Sequence, residues 1–107
     1  MAESRPKPPR FHIISRRMIR EFVATVSDPS AESAFDDWYL NARDAQWGSF
    51  ADVKATYADA SWVGGLVVFN VGGNKYRIAT RIDFEARMIF MLFVGTHREY
   101  DKGKWKG

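Results

Sequence analysis

The stretch over residues 66–94 constrains this chain more than any other: three runs rich in branched and aromatic residues, separated by turn signals. Residues 66–71, 74–84 and 87–94 read as strands. Gly72-Gly73 is a two-residue hairpin signal between the first two, and a second turn falls between Phe84 and Arg87. With Val71 opposite Asn74, Phe69 falls opposite Tyr76 and Val67 opposite Ile78. The other face then sets Asn70 against Lys75 and Val68 against Arg77. The middle strand alternates cleanly, with Tyr76, Ile78, Thr80, Ile82 and Phe84 on one side and Lys75, Arg77, Arg81 and Asp83 on the other. One face is built to meet helices and the other presents cations. The last run is apolar on both faces, as a covered strand requires.

The helices that such a sheet needs lie upstream. A short apolar run at 11–14 reads as a strand and contains His12, which is expected to be structural. Ser15 is a candidate N-cap for a helix that places Met18, Ile19, Phe22, Val23 and Val26 at helical spacing. Asp28-Pro29 ends that helix and opens the next, with Pro in the first turn. Ala31, Phe35, Trp38, Ala42 and Ala45 form the apolar stripe of the second helix. Gly48-Ser49 breaks the pattern, and Ser49 caps a short third helix to about Tyr57. The expected fold is α+β: a short strand, two helices plus a short third, then a three-strand antiparallel meander packed on the helices.

A chain of 107 residues makes one domain with a real but modest core. Residues 1–10, polar and basic with three of the four Pro, read as a disordered arm, leaving 11–107 as the domain. There is no Cys, which excludes disulfides and thiolate metal sites and fits a reducing cytoplasm. No apolar run approaches the roughly 18 residues a membrane span needs. Charge is uneven. Residues 1–26 hold six Lys/Arg against two Asp/Glu, residues 27–61 two against seven, and residues 62–107 eight against four. This distribution puts a polyanion-facing side on a near-neutral body.

Lys75, Arg77 and Arg81 share one strand face, where three cations repel unless solvated or paired with an anion. Two readings stay open: a solvated outer face partly compensated by Asp83, or a phosphate platform on which Arg supplies forked hydrogen bonds. Asn70 adds a neutral hydrogen bond to the second. The chain leaves the sheet at Gly95-Thr96-His97-Arg98-Glu99-Tyr100-Asp101, and an antiparallel last pair returns this rim to the start of the middle strand. His97 and Tyr100 thus come near Lys75 and Arg77. RNA cleavage without a metal needs a proton taken from the 2′-hydroxyl, a stabilised pentavalent phosphate and a proton given to the leaving 5′-oxygen. His97 and Tyr100 suit the proton transfers, and Lys75, Arg77 and Arg81 suit the phosphate. Two His and no closely spaced carboxylates beside the basic face make no recognisable metal ligand set. Gly72-Gly73-Asn74 lacks the length and following helix of a phosphate-cradling loop.

Two segments resemble a known family: Phe69-Asn70-Val71-Gly72-Gly73-Asn74-Lys75-Tyr76-Arg77-Ile78 and Phe93-Val94-Gly95-Thr96-His97-Arg98-Glu99-Tyr100-Asp101-Lys102. Weaker matches are Ile14-Ser15-Arg16-Arg17, Trp38-Tyr39, Trp47, Val53-Lys54-Ala55 and Val67-Val68, so the likeness runs from Phe11 to Trp105. The chain resembles HigB toxins of the HigB–HigA type II toxin–antitoxin systems, within the RelE-like ribonuclease superfamily. The resemblance implies a ribosome-dependent mRNA endonuclease that needs no cofactor. It also implies neutralisation by a helix-turn-helix antitoxin, HigA, in a complex that represses its own operon. By similarity, Arg77 matches the arginine that binds the scissile phosphate and Lys75 supplies a further basic side chain. His97, Tyr100 and Asp101 occupy the C-terminal catalytic region. Nothing in the family pattern fixes Arg81. A protein of the same fold that binds RNA or antitoxin without cutting is the alternative.

Overall fold

The computed structural model describes residues 9–103. The elements run β1 (His12–Ile14), α1 (Arg16–Val23), α2 (Ala31–Asp44), α3 (Phe50–Thr56), β2 (Ser61–Val63), β3 (Leu66–Val71), β4 (Tyr76–Asp83), β5 (Met88–Thr96) and α4 (His97–Lys102). The expected arm at positions 1–8 and Trp105, at the far end of the family likeness, lie outside the described residues. Pro9 and Arg10 are tied to the body: the Pro9 carbonyl accepts from Arg87 and Arg10 pairs with Asp44 at 3.0 Å.

The α+β class holds, but the sheet is five-stranded and mixed, in the order β1-β5-β4-β3-β2, where a three-strand meander was expected. β1 runs parallel to β5, with Ile13 beside Ile89. Local pattern does not reveal that pairing, because parallel neighbours need a long crossover and here every helix of the core intervenes. β2, before the first strand of the expected meander, pairs antiparallel with β3. Its turn, Gly64-Gly65, carries positive φ at both residues and was as readable as Gly72-Gly73.

The β3–β4 hairpin also differs from expectation. Val71 pairs with Tyr76, so the loop has four residues, Gly72 through Lys75, and the register moves by two. A two-residue shift keeps every side chain on its predicted face because strands repeat every second residue. It changes the neighbours: Asn70 lies opposite Arg77, and Lys75 belongs to the turn. On β5 a bulge leaves Leu92 unmatched between Met91 and Phe93. Ile89 and Met91 face the helices before the bulge and Val94 sits across from Ile78 after it, which removes any clean alternation from the strand.

Ser15 caps α1 as expected, its hydroxyl accepting the Arg17 N–H at 3.1 Å. Pro29 lies before α2 rather than in its first turn, and Asp28 accepts from the Ser30 N–H at 2.9 Å to set the helix entry. The predicted stripe is largely borne out: Ala31, Phe35, Trp38 and Ala42 are buried against the sheet. Phe69 is the hub of this layer, with Trp38, Trp47 and Tyr57 rings 5.3 to 5.9 Å from its centroid. Burying an aromatic side chain of this kind is worth about 2 to 3 kcal/mol. The Thr80 hydroxyl, fully buried, donates to the Val67 carbonyl at 2.9 Å.

Among the described residues Arg87 is the one buried cation, and the sequence did not announce it. It holds φ at 59°, lies 3.8 Å over the Phe11 ring, and donates to the carbonyls of Pro9, Trp47 and Ala45. Burial pushes its guanidinium pKa down. The side chain knots the chain before β1 to the α2–α3 connection.

Candidate active site

The site forms where β4 begins and β5 ends. Tyr76 pairs with Thr96 and Arg77 with Gly95, so the last residues of β5 lie beside the start of β4. The segment after Gly95 was expected only to leave the sheet at its rim, and the structure makes it a helix. The Thr96 hydroxyl accepts the Glu99 N–H at 3.1 Å and the Glu99 carboxylate accepts the Thr96 N–H at 2.9 Å. Gly103 closes the helix in the left-handed region at φ 70°. Both marks, Thr-x-x-Glu and the terminal Gly, stand in the sequence and identify the helix.

That helix brings His97 and Asp101 together one turn apart. His97 Nδ1 lies 2.9 Å from Asp101 Oδ2, off the line of a hydrogen bond, and the two form an ion pair only when the imidazole is protonated. Both side chains remain open to solvent, at 44% and 58% exposure. The His97 N–H donates to the Lys75 carbonyl at 2.9 Å, fastening the helix start to the hairpin turn. Tyr100 stands on the same helix with its ring 6.1 Å from Phe93. Gly95 makes room for this arrangement, since a Cβ there would sit 2.5 Å from Phe93 Cζ.

Arg77 is half-buried and folded against the turn. Its Nη2 donates to Asn74 Oδ1 at 2.7 Å, and its Nη1 to the carbonyls of Tyr76 and Asn74 at 3.1 and 3.3 Å. Among the described residues no carboxylate lies within ion-pair distance of it. A guanidinium held by neutral oxygens keeps its charge uncompensated and its remaining donors available to an anion. Asn74, which orients it, was read only as a turn residue.

The predicted set is therefore divided. Arg77, His97, Tyr100 and Asp101 gather at one end of the sheet, with Asn70 cross-strand from Arg77. Lys75 does not share their face. It sits in the turn and its Nζ reaches Asp28 Oδ2 at 3.2 Å, with the side chain 59% exposed. Arg81 is four residues along β4 from Arg77, about 13 Å at the rise of a strand, and covers the Phe90 ring at 5.3 Å. Asp28 is a residue the sequence reading used only as a helix boundary. Its carboxyl pKa is held well below the usual range, first by the Tyr76 hydroxyl and then by Ser30. Among the described residues no three His, Asp or Glu side chains are grouped to hold a metal ion.

Positions 31–103 match HigB_toxin, a family of RelE-like toxic components of toxin–antitoxin systems. The matched span runs from the first residue of α2 to the cap of α4 and contains the whole site. The chain belongs to the HigB toxin family. Over 34 residues it is 47% identical to the mRNA interferase toxin HigB of Escherichia coli (strain K12). The same identity holds for the protein named mRNA interferase HigB in Shigella flexneri. The shared stretch is 32% of this chain and 33% of each relative. No helix among the described residues is long and apolar enough to cross a membrane.

Proposed function

We propose that this chain is a cytoplasmic endoribonuclease toxin that cuts mRNA on the translating ribosome, without a metal, and is neutralised by a helix-turn-helix antitoxin of the HigA kind. The observation that carries this reading is the Arg77 guanidinium, with no carboxylate partner among the described residues, on the strand that pairs with the last residues before the helix of His97 and Asp101. The name that the relatives carry, mRNA interferase, supports messenger RNA as the class of substrate.

In the cleavage, His97 takes the proton of the 2′-hydroxyl at its Nε2 while Asp101 holds the imidazole from the Nδ1 side. The 2′-oxygen attacks the adjacent phosphorus, and Arg77 neutralises the charge that builds on the nonbridging oxygens. Tyr100 donates a proton to the departing 5′-oxygen. The products are a 2′,3′-cyclic phosphate and a 5′-hydroxyl, and no water is consumed in this step. Asn70 adds a neutral hydrogen bond beside Arg77. Lys75 and Arg81 contact the RNA backbone away from the scissile phosphate, Lys75 through ammonium donors that its bond to Asp28 leaves open.

The test is induction of the chain in cells without antitoxin, paired with cleavage of message on translating ribosomes. Growth arrest with message cleavage, relieved by His97→Ala and by Arg77→Ala, is the expected result. Arrest that persists in both variants overturns the site. Binding to ribosomes without any cut message assigns the chain to a binding role on the same fold.

A further inference from the structure

The geometry points to Asp28, in the connection between α1 and α2, as a positioning residue for the site: by gripping Tyr76 and Lys75 it sets the hairpin turn and, through the turn, the start of α4. The kinetic consequence rests on the functional reading above, whereas the structural consequence does not.

Asp28 Oδ2 accepts the Tyr76 hydroxyl at 2.6 Å and Lys75 Nζ at 3.2 Å. Its Oδ1 accepts the Ser30 N–H at 2.9 Å and the Ser30 hydroxyl at 2.7 Å. Four donors fill the acceptor sites of one carboxylate, which is only 20% exposed. A group so saturated has nothing left to offer a substrate, so its action passes through the residues it holds. Those residues are well placed. The Tyr76 ring is 5% exposed and wedged against Phe22 and Phe35 at 5.6 and 5.3 Å, so the core fixes its sides and Asp28 its tip. The Tyr76 backbone pairs with Thr96, the cap of α4. The Lys75 carbonyl accepts the His97 N–H. Arg77 is the next residue along. The two hairpin side chains that Asp28 grips thus belong to residues whose backbones meet the start of α4.

Removing the carboxylate leaves the Tyr76 hydroxyl with a weaker partner and releases Lys75. The turn then samples other positions, and a misplacement of about 1 Å in reacting groups costs on the order of a hundredfold in rate.

The experiment measures amide hydrogen exchange in the free protein and single-turnover mRNA cleavage on translating ribosomes, for wild type, Asp28→Asn and Tyr76→Phe. The His97 amide should exchange at least tenfold faster in both variants while Ile78 and Ile89 in the core keep wild-type rates. The cleavage rate at saturating protein should fall at least tenfold with the half-saturating concentration within twofold. Asp36→Asn, which removes an exposed carboxylate 3.6 Å from Arg16, should change neither. Unchanged His97 exchange overturns the proposal. So does equal acceleration at Ile78 and Ile89, which marks a loss of stability, or a kinetic defect confined to half-saturation. If wild type does not cleave, the functional reading fails and the exchange data still decide whether Asp28 holds the turn.

Discussion

The backbone N–H of His97 donates to the carbonyl oxygen of Lys75 at 2.9 Å. This bond joins the helix that carries His97, Tyr100 and Asp101 to the turn whose Asn74 holds Arg77. A site assembled from two chain segments is thereby referenced to one hairpin, and its geometry depends on groups that never touch a substrate.

Arg77→Ala should lower cleavage by about 10²- to 10³-fold, the usual cost of removing one donor from a developing oxyanion. Arg77→Lys should recover little, because an ammonium keeps the charge and loses the fork. Urea unfolding should place both variants within about 1 kcal/mol of wild type. A near wild-type rate in Arg77→Ala would remove it from the mechanism.

Asp101→Asn keeps the shape of α4 and removes the charge beside His97 Nδ1. General acid–base catalysis is worth about 10²- to 10⁴-fold in total, and loss of the orienting partner should cost at least the lower end of that range. Single-turnover cleavage checks it. The unfolding midpoint should stay near wild type, since the pair is solvent-exposed.

Arg87→Ala should destabilise the fold by about 2 to 4 kcal/mol, because three carbonyls, buried or partly so, lose a charged donor and the Phe11 ring loses its cover. Arg87→Gly should be less damaging by about 1 kcal/mol, as it relieves the positive φ. Equilibrium urea unfolding orders the three proteins, and equal losses in the two variants would mean that the backbone strain is negligible.

The Asp28–Tyr76 bond makes stability depend on pH in a defined direction. Asp28 titrates lower in the folded state, so its contribution is present above the carboxylate's unfolded pKa of about 3.9 and fades as pH falls below it. Tyr76 is raised, chiefly by its bond to Asp28, so its share is complete below about pH 10 and is lost as pH rises through the folded value. The difference in unfolding free energy between wild type and Asp28→Asn should therefore be flat near neutrality and shrink in acid. A gap that widens in acid would contradict the assignment.

Gly95→Ala should cost about 1 to 3 kcal/mol, because the new Cβ collides with the Phe93 ring and presses on Glu99 of the capping box. Thermal unfolding measures the loss. The same variant should lower cleavage, since Phe93 cannot move without disturbing Tyr100.

The residues that gather at the site were legible to different degrees. Arg77 was found because period-two alternation sets it on the polar face, and a register shift of two left that face unchanged. His97 and Asp101 are legible as residues, but their pairing is not, because residues 95–101 read only as the chain leaving the sheet, whereas Thr96-x-x-Glu99 opens a helix. Lys75 and Arg81 show the limit of a one-strand argument. Four turn residues carry Lys75 away to Asp28, and the length of β4 carries Arg81 to Phe90.

The cationic strand that first marked this chain is thus a smaller feature than its spacing suggests, with one of its three cations, Arg77, placed at the candidate site. The amino-acid sequence by itself determined which faces are apolar, where the helices fall and which strand carries the cations, because these follow from periodicity among near neighbours. Only the tertiary structure decided that β1 joins β5 in parallel, that Asp28 reaches the hairpin turn, and that α4 starts against that turn through the His97–Lys75 backbone bond. Those contacts join residues far apart in the chain, and each is set by how the helical layer and the sheet settle against one another.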